Sequence, residues 1–432
     1  MKTVLESAYR AWSAASAFRV RRERYKNYTY GDQWCDMVTD RKGRRMREDR
    51  LLFESGGRPL TNNLIRQLVK TVVGRYRTQM AESGFYTSGG IADIARRNSL
   101  AELDSRMLEE FLISGCAIQR ITDERRWEGC GVWVDNIDPR RFFVNSFHDP
   151  RGWDIDLIGM LHDMNLPEVV NRFAGGSMQR AVELRRIYGS AESPGAFSGS
   201  ELGSPECTME FFCASEPGRC RVIEVWTLDC REKSGDDSPA LDFAWHCRYL
   251  APDGTLLAEY DSPYAHRMHP FVVKFYPLTD GEVHPFVEDV IDQQRHINRL
   301  IVMIDKMMTT AAKGVLLFPM DQLAEGISWE RVTDVWAHSD GVIPITGRGH
   351  HLPQQVVTNT ANPGAYRLLE MQMKLFDDIS GVGDALLGRR AVGVNGAEML
   401  ESQVHNATIA LSDIFESFTA FTTARNEKSL AV

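Results

Sequence analysis

The sequence predicts an α+β protein, and three observations support that class. Between residues 132 and 277 several segments alternate apolar and polar side chains, as β-strands do. Residues 286–312 and 396–425 repeat apolar side chains every three or four positions, as amphipathic helices do. A chain of 432 residues also exceeds the size at which a single hydrophobic core usually stops growing. We therefore expect two or three structural units.

The first part of the chain is predicted to be helical. Residues 1–26 have a basic helical pattern that ends near the aromatic segment YTYGDQW (28–34). GGRPLTNNLIRQLVKTVVGRYR (56–77) places a Thr or Asn cap before apolar residues at four-residue spacing, which indicates the start of a helix. A further helix is expected from about Asn98 to Gln119.

The middle of the chain is predicted to contain antiparallel strands. VWVDNIDPRRFFVNS (132–146) alternates in polarity and turns at Asp138-Pro139, and helical character returns over Asp163–Phe173. A segment at about 189–220, rich in Ser, Gly and Pro in its first part, is predicted to be a flexible surface loop. Strands are then expected over residues 221–229, 243–260 and 271–277.

Long helices dominate the second half. The segment 286–312 predicts one uninterrupted helix, about 40 Å long at the usual rise per residue. Short strands are expected at 314–319 and 334–346, followed by a helix from Asn362-Pro363 to about Ser380. Next comes ISGVGDALLGRRAVGVNGAEML (379–400), whose five glycines and two adjacent arginines predict a mobile, basic loop. A final helix is predicted from apolar residues at alternating four- and three-residue spacing, namely Leu400, Val404, Ala407, Leu411, Ile414, Phe418 and Phe421.

Charge is unevenly distributed along the chain. The formal net charge is -9, yet residues 1–80 carry 18 Lys and Arg against 8 Asp and Glu. A basic region of this kind often marks a surface that binds nucleic acid or another polyanion. Solvated helix faces, on which Lys and Arg cover apolar surface, are the equally open alternative.

No convincing catalytic or metal-binding motif is present. GVGDALLG lacks the Gly-Lys-Ser/Thr ending of a phosphate-binding loop, and His266 and His269 do not form an HExxH pair. We therefore expect no enzymatic activity, no metal and no cofactor. No apolar run approaches the roughly 20 residues of a membrane span, and the N-terminus lacks the apolar stretch of a secretory signal. These features predict folding in a cytoplasm, with reduced cysteines and without a membrane.

Four motifs resemble the portal proteins of tailed bacteriophages, in particular the group similar to the P22-type portal. They are YGDQW followed by GRPLTNNLIRQLVKTVVG, DNIDPRRFFVNSFHDP, HPFVVKFYPL followed by VEDVIDQQRHINRLIVMI, and GVNGAEML. The resemblance implies a non-enzymatic structural protein with the portal fold. In that family the protein forms a ring, usually a dodecamer, at one capsid vertex, where double-stranded DNA is packaged and ejected.

The same resemblance implies a division of the chain into the parts of a portal subunit. These are an α/β wing (1–285), two stem helices (286–312 and 361–380), a clip with β-structure (313–360), a tunnel loop (381–395), and a tunnel-side helix with a short C-terminus (396–432).

The tunnel loop supplies most of the candidate functional residues. The resemblance places Arg389 and Arg390 in the DNA channel, where they would meet phosphates without reading sequence. A solvated loop tip is the alternative, and Leu386 and Leu387 could equally pack the loop against its neighbour. Asn395 is the last channel candidate in the loop. The glycines expected to give the loop conformational freedom are Gly381, Gly383, Gly388, Gly393 and Gly396.

The first stem helix supplies three further channel candidates, Arg299, Lys306 and Lys313. A lysine near the C-terminal end of a helix also simply suits the helix dipole. Residues 286–425 carry 11 basic and 17 acidic side chains, and a net acidic wall suits a conduit through which DNA slides.

The implied partners follow from the portal parts. The homo-oligomeric ring would bind double-stranded DNA without sequence specificity, the terminase large subunit and later a tail adaptor at its clip, and the major capsid or scaffold protein at its wing. It would assemble in the host cytoplasm and end in the virion of a phage or prophage. Two alternatives are an intracellular metal-dependent hydrolase that uses scattered His and Asp, and a DNA-binding protein that uses the basic first 80 residues.

Overall fold

The computed structural model describes residues 2–87, 89–126, 129–189, 205–233, 240–313, 315–317, 328–337, 354–356, 363–382, 409 and 411–432. Its contacts divide the chain into two compact units. The first unit comprises residues 1–36, 63–291 and 377–432, and the second comprises residues 37–62 and 292–376.

The described residues form helices and strands in the mixed order expected of an α+β chain. In chain order the helices are α1 (Lys2–Ala14), α2 (Ser16–Tyr30), α3 (Glu48–Glu54), α4 (Leu64–Glu82), α5 (Ala92–Asn98), α6 (Leu100–Ser114), α7 (Leu166–Phe173), α8 (Met178–Gly189), α9 (Pro205–Phe212), α10 (Glu288–Lys313), α11 (Trp329–Ala337), α12 (Pro363–Ser380) and α13 (Ser412–Leu430). The strands are β1 (Met37–Thr39), β2 (Arg45–Arg47), β3 (Cys116–Arg126), β4 (Gly129–Asn136), β5 (Phe142–Val144), β6 (Leu157–Met164), β7 (Cys220–Lys233), β8 (Ala240–Leu250), β9 (Leu256–Asp261), β10 (Phe271–Phe275), β11 (Val315–Leu317) and β12 (Gln354–Val356).

The first unit is built on two antiparallel sheets. The larger sheet has the strand order β5-β6-β7-β8-β9, and the smaller one has the order β10-β3-β4. Successive side chains on β6 and β7 enter different cores, as the two-residue period of a strand requires. Leu161 and Ile223 pack in a core with Tyr9 and Trp12 of α1. Ile158 and Val222 pack instead with the apolar faces of α7 and α8.

Several predicted elements are confirmed. The strands expected after residue 220 are present as β7 to β10, with a turn between β8 and β9. The long helix predicted over 286–312 is α10, and the helix expected after Asn362-Pro363 is α12. Asn63 is the N-cap of α4, because its side-chain oxygen accepts a hydrogen bond from the Arg66 N–H at 3.0 Å.

The helix predicted over Asn98–Gln119 is too long by several residues. α6 ends at Ser114 because Gly115 has a φ of +73°, in the left-handed region that favours glycine. A Cβ added at Gly115 would lie 2.4 Å from Cγ1 of Val283, so only glycine fits there. The four residues that follow begin β3 and pair with β10, for example Cys116 with Phe275.

Two loop and strand predictions also need correction. Within the segment 189–220, residues 205–212 form α9, and Phe211 of this helix is fully buried against Trp12. The strand predicted over 334–346 is wrong in its first four residues, which belong to α11; the rest lies outside the described residues. The partner of β11 is instead β12, in register Leu317 with Gln354. β12 had no signal in the alternation pattern because it has only three residues.

The second unit contains the β1-β2 hairpin, α3, the β11-β12 pair, α11, and parts of α10 and α12. α10 and α12 each contribute residues to both units. Within the second unit the two helices touch where the Tyr366 hydroxyl donates to Sδ of Met308 at 3.1 Å. No helix among the described residues is both long enough and apolar enough to span a membrane.

Candidate functional site

The predicted stem helix is α10, and its residues from 292 onward belong to the second unit. One stripe of this part is apolar and buried, and it consists of Ile297, Leu300 and Ile304. Gln294 and Asn298 lie on the same side of the helix, with exposed fractions of 0% and 1%. Buried amides destabilise a fold unless they are hydrogen-bonded. The hydrogen-bond partners of Gln294 and Asn298 therefore show which segment packs on this side of α10.

Gln294 and Asn298 bind the backbone of Asn62. Nε2 of Gln294 donates to the Asn62 carbonyl oxygen at 2.6 Å and to Oδ1 of Asn298 at 3.1 Å. Oδ1 of Asn298 in turn accepts from the Asn62 N–H at 3.1 Å. Two side chains one helical turn apart thus satisfy both backbone groups of one residue. The GRPLTNN and VIDQQRHINRL motifs, far apart in the sequence, meet here.

Glu48 is the charged centre of the same surface. Its carboxylate accepts from Nη2 of Arg295 at 2.8 Å on one oxygen and from Nε of Arg299 at 2.8 Å on the other. Glu48 is buried, whereas the side chain of Arg299 is 48% exposed. One carboxylate is therefore shared by two guanidinium groups of α10.

The opposite side of α10 is polar and open to solvent. It presents Asp292, His296, Arg299, Met303 and Lys306, all exposed and spaced four and three residues apart. This stripe contains two of the three predicted channel residues of the stem. A row of exposed side chains at this spacing is suited to meeting a partner along its length.

The structure places these channel candidates beside residues of the segment 37–62. Arg299 is held by Glu48, and Nζ of Lys306 donates to the Ser55 carbonyl oxygen at 3.4 Å. The backbone of α10 extends to Lys313, whose side chain lies outside the described part. The pairing of Arg299 with Glu48 could not be read from either local sequence, since 251 positions separate them.

The tunnel-loop candidates lie almost entirely outside the described residues. Gly381 is the exception: it follows the last residue of α12 and has a φ of +66°. This left-handed conformation ends the helix where the glycine-rich segment was predicted to begin. The candidates in residues 383–408 are Gly383, Leu386, Leu387, Gly388, Arg389, Arg390, Gly393, Asn395 and Gly396.

The last helix, α13, is fixed by a buried ion pair that the sequence analysis missed. Nη1 and Nη2 of Arg425 donate to the two carboxylate oxygens of Asp104 at 2.8 and 2.9 Å, and both side chains are fully buried. Gln119 and Tyr86 also donate to Asp104, at 3.1 and 3.0 Å. Burial and the nearby carboxylate raise the pKa of Tyr86, so its hydroxyl stays protonated as a donor.

A sequence signal for Arg425 did exist. The core positions Ile414, Phe418 and Phe421 follow a four-three spacing, and the next position in that series is 425. A single arginine at a predicted core position predicts that a buried carboxylate lies beside it. Phe418 packs edge-on against Tyr76 of α4, with ring centroids 5.2 Å apart, so apolar contacts surround the ion pair.

A second buried cluster, in the five-stranded sheet, contains a His–carboxylate pair. Nε2 of His162 lies 2.6 Å from Oε2 of Glu224, and Arg120 and Trp226 bind the same carboxylate. Burial acts to raise the pKa of Glu224, but the Arg120 charge and these hydrogen bonds outweigh it and hold the pKa well below its usual range. Glu224 has no exposed surface, so no substrate reaches it. The pair stabilises the sheet.

The histidines considered for a metal site are occupied in other ways. Nδ1 of His269 accepts from the Phe271 N–H at 3.2 Å, and Nδ1 of His266 accepts from the Met268 N–H at 3.0 Å. His284 lies beside Glu282 and Glu288. Across the described ranges, no three His, Cys, Asp or Glu side chains come together in an arrangement that would hold a metal ion.

Residues 221–425 match the family model of the phage P22-like portal protein. Over residues 221–425 this match confirms the predicted similarity to phage portal proteins, whose family is a structural and non-enzymatic one. The matching model is that of the P22-like group, the group that the sequence motifs predicted. No curated protein matches the chain.

The matched region covers just under half of the chain. It contains β7 to β10, α10, and all residues of the predicted clip, tunnel loop and Arg425. The YGDQW, GRPLTNN and DNIDPRRFFVNSFHDP motifs lie outside it, so their resemblance to portal proteins rests on the sequence alone. In general terms the family implies a phage portal role, an oligomeric ring with capsid and terminase partners, and a place at the capsid vertex of the virion.

Proposed function

We propose that this chain is the subunit of a dodecameric portal ring, the conduit through which double-stranded DNA is packaged into and ejected from a phage capsid. The observation that carries the proposal is the family match over residues 221–425, which includes the whole predicted stem, clip and tunnel loop. α10 adds physical support, because it is a continuous 26-residue helix with a buried apolar stripe and an exposed polar stripe.

Ring closure needs a head-to-tail interface between neighbouring subunits. The rotation that relates one subunit to the next must return to its starting point after a whole number of subunits. The exposed stripe Asp292, His296, Arg299, Met303 and Lys306 is one candidate for this surface or for the channel wall. In the second case Arg299, Lys306 and Lys313 would be the few positive charges that a predominantly acidic stem presents to the DNA. Isolated contacts favour sliding, because many strong phosphate contacts would arrest the DNA.

The tunnel loop, residues 381–395, is proposed to point at the DNA in the channel. Arg389 and Arg390 would contact phosphates, Leu386, Leu387 and Asn395 would line the loop, and its glycines would allow it to change shape. The clip (313–360) would dock the terminase large subunit and then a tail adaptor, and the wing (1–285) would meet the major capsid or scaffold protein.

The test of this function is imaging of the purified chain by negative-stain electron microscopy, with native mass measured on the same sample. We expect rings with a central hole and a mass close to 12 times that of the 48.9 kDa chain. A chain that stays monomeric at high concentration and with its scaffold protein present would contradict the ring proposal.

The role of the loop is tested separately with the substitutions Arg389→Ala and Arg390→Ala made together. Rings should form as in the unsubstituted protein, because the loop is not required for closure, while DNA packaging or retention should fall. The matched control is the pair Arg389→Lys and Arg390→Lys, which keeps both charges and should package DNA normally. Loss of rings with the alanine pair would show that the loop is an assembly element.

A further inference from the structure

One feature of the second unit has no role in the function proposed above. Residues 37–47, which we call the basic hairpin, form the two short strands β1 and β2, paired in register Met37 with Arg47 and Thr39 with Arg45. Most of its side chains are exposed on both faces. Isolated two-stranded hairpins are marginally stable in water, so the turn that joins the strands needs a specific organiser.

Asp40 organises that turn. Its Oδ1 accepts from the N–H groups of Lys42 and Arg44 at 2.8 and 2.7 Å, and its Oδ2 accepts from Nε of Arg44 at 2.8 Å. The Asp40 N–H donates to the Arg44 carbonyl oxygen at 3.0 Å, and the Gly43 N–H donates to the Asp40 carbonyl oxygen at 3.1 Å, which completes a five-residue turn. The chain at the tip is therefore held in a defined shape that projects Arg41 and Lys42 outward.

The acidic side chains near the hairpin are already engaged. Asp40 and Glu54 pair with Arg44, Asp49 pairs with Arg47, and Glu48 binds the arginines of α10. Arg41, Lys42 and Arg45 are exposed and make no ion pair with any described residue. The hairpin tip is thus a fixed group of three cations without counter-charges from the described part of the chain.

We propose that Arg41, Lys42 and Arg45 bind the phosphate backbone of double-stranded DNA without reading its sequence. Lys and Arg that neutralise phosphates release condensed counterions, and this release drives sequence-independent binding. The shape also fits, because the major groove of B-form DNA admits a two-stranded β-ribbon. This site is separate in sequence from the tunnel loop and does not depend on the chain forming a ring.

An acidic protein surface is the other polyanion that such a tip would meet. Protein interfaces are centred on buried aromatic and apolar side chains with few charges. The tip sequence Asp40-Arg-Lys-Gly-Arg-Arg45 contains no apolar residue, and the exposed Met37 and Phe53 lie outside the turn, on β1 and on α3. The composition of the tip therefore favours phosphates.

The experiment measures binding of fluorescent 30-base-pair duplexes of two unrelated sequences by anisotropy, at 50 to 200 mM salt. The test variant carries Arg41→Ala, Lys42→Ala and Arg45→Ala. If each cation neutralises one phosphate, affinity near 100 mM salt should fall about 100-fold, and the slope of log affinity against log salt should become shallower by about 2 to 3. Both duplexes should be affected equally.

The matched control removes two arginines and one lysine elsewhere in the basic first 80 residues, with Arg10→Ala, Lys70→Ala and Arg77→Ala. These exposed side chains belong to the first unit, so affinity should change by no more than about threefold. A second variant, Arg41→Lys with Arg45→Lys, keeps the charges and should bind nearly as well as the original protein. It separates loss of charge from disturbance of the hairpin.

Two results would overturn the proposal. One is equal binding by the hairpin variant and the control, whether or not the Arg389→Ala and Arg390→Ala pair weakens binding. The other is unchanged DNA affinity with loss of the native-mass ring, which would assign the tip to a protein contact. Because ring mass and duplex affinity are measured independently, failure of this proposal leaves the portal function standing, and the reverse also holds.

Discussion

The buried ion pair that holds α13 in the first unit and the charged cluster around Glu48 in the second unit differ in how far their charges are removed from water. In the first unit, Arg425 and Asp104 are both fully buried and bind each other through two parallel hydrogen bonds. In the second unit, Glu48 is buried but its partners Arg295 and Arg299 reach solvent, and the arginines of the basic hairpin are exposed. The buried pair fixes the position of α13, whereas the exposed arginines can interact with a binding partner.

Desolvation explains why the difference matters. Removing two ions from water costs several kcal/mol per ion, and only near-ideal geometry with every hydrogen-bonding group satisfied offsets it. Asp104 meets this condition, since Gln119 and Tyr86 supply further donors. The pairs that Glu48 forms leave 24% of the Arg295 side chain and 48% of the Arg299 side chain exposed, so they incur less desolvation and contribute less to stability. Such pairs can be exchanged for contacts with a partner at low cost.

The largest expected effect comes from breaking the buried pair of the first unit. Asp104→Ala leaves the Arg425 guanidinium buried without its carboxylate, and we expect the free energy of unfolding to fall by about 3–5 kcal/mol. Urea unfolding followed by circular dichroism measures the change. Hydrogen exchange should also accelerate in α13, because the contact that fixes this helix is lost.

The control for this prediction removes both partners together. Asp104→Leu with Arg425→Met replaces the ion pair by apolar side chains, and the double variant should recover much of the stability lost in Asp104→Ala. If Asp104→Ala alone changes stability by less than about 1 kcal/mol, the pair is not the fixing contact that its burial indicates.

This comparison also shows what the sequence could predict. α4 and α10 were found because an Asn cap and a long three-four repeat are local signals within one segment. The end of α6 was missed because the requirement for glycine at 115 arises from Val283 and Tyr276, which approach from far along the chain. Local periodicity cannot report such a contact.

The candidate site likewise has a part that the sequence could predict and a part that it could not. The stem helix and its Arg299 and Lys306 were predictable from pattern and family resemblance, but their contacts with Glu48 and Ser55 were not. The asparagine and glutamine of the stem motif were noticed only as a resemblance. Their physical role, binding both backbone groups of Asn62, appears only when two segments 232 positions apart are brought together.

A smaller effect is expected from Glu48→Gln in the second unit. The substitution keeps the size of the side chain but removes the charge that Arg295 and Arg299 share. Because both guanidinium groups retain access to water, the free energy of unfolding should fall by only about 1–2 kcal/mol. Urea unfolding measures the loss, and hydrogen exchange should rise in residues 45–62.

Glu54→Gln serves as the matched control, since Glu54 is an exposed carboxylate that pairs with Arg44 at 3.3 Å. Its effect should stay within about 0.5 kcal/mol. Equal losses for Glu48→Gln and Asp104→Ala would contradict the contrast between the units, because half-exposed and fully buried pairs would then be energetically alike.

The smallest effect is a change in pH dependence, and it should arise in the first unit. His269 is buried against Trp245, with ring centroids 4.6 Å apart, and the Lys428 and His266 side chains lie nearby. Burial, together with the Lys428 charge, holds the pKa of His269 well below 6.5. The unfolded chain therefore takes up a proton first as the pH falls below about 6.5, and the folded state loses stability.

His269→Phe should remove this contribution. Its absolute stability at pH 7 will differ, because the acceptor for the Phe271 N–H is lost, so the informative quantity is the slope between pH 7 and pH 5. One histidine contributes at most about 1.4 kcal/mol per pH unit, and the variant should show a shallower fall by part of that amount. The unsubstituted protein, measured over the same pH range, is the reference. An identical slope in His269→Phe would mean that the acid sensitivity comes from other buried groups, with His162 beside Glu224 as the next to test, since burial lowers its pKa as well.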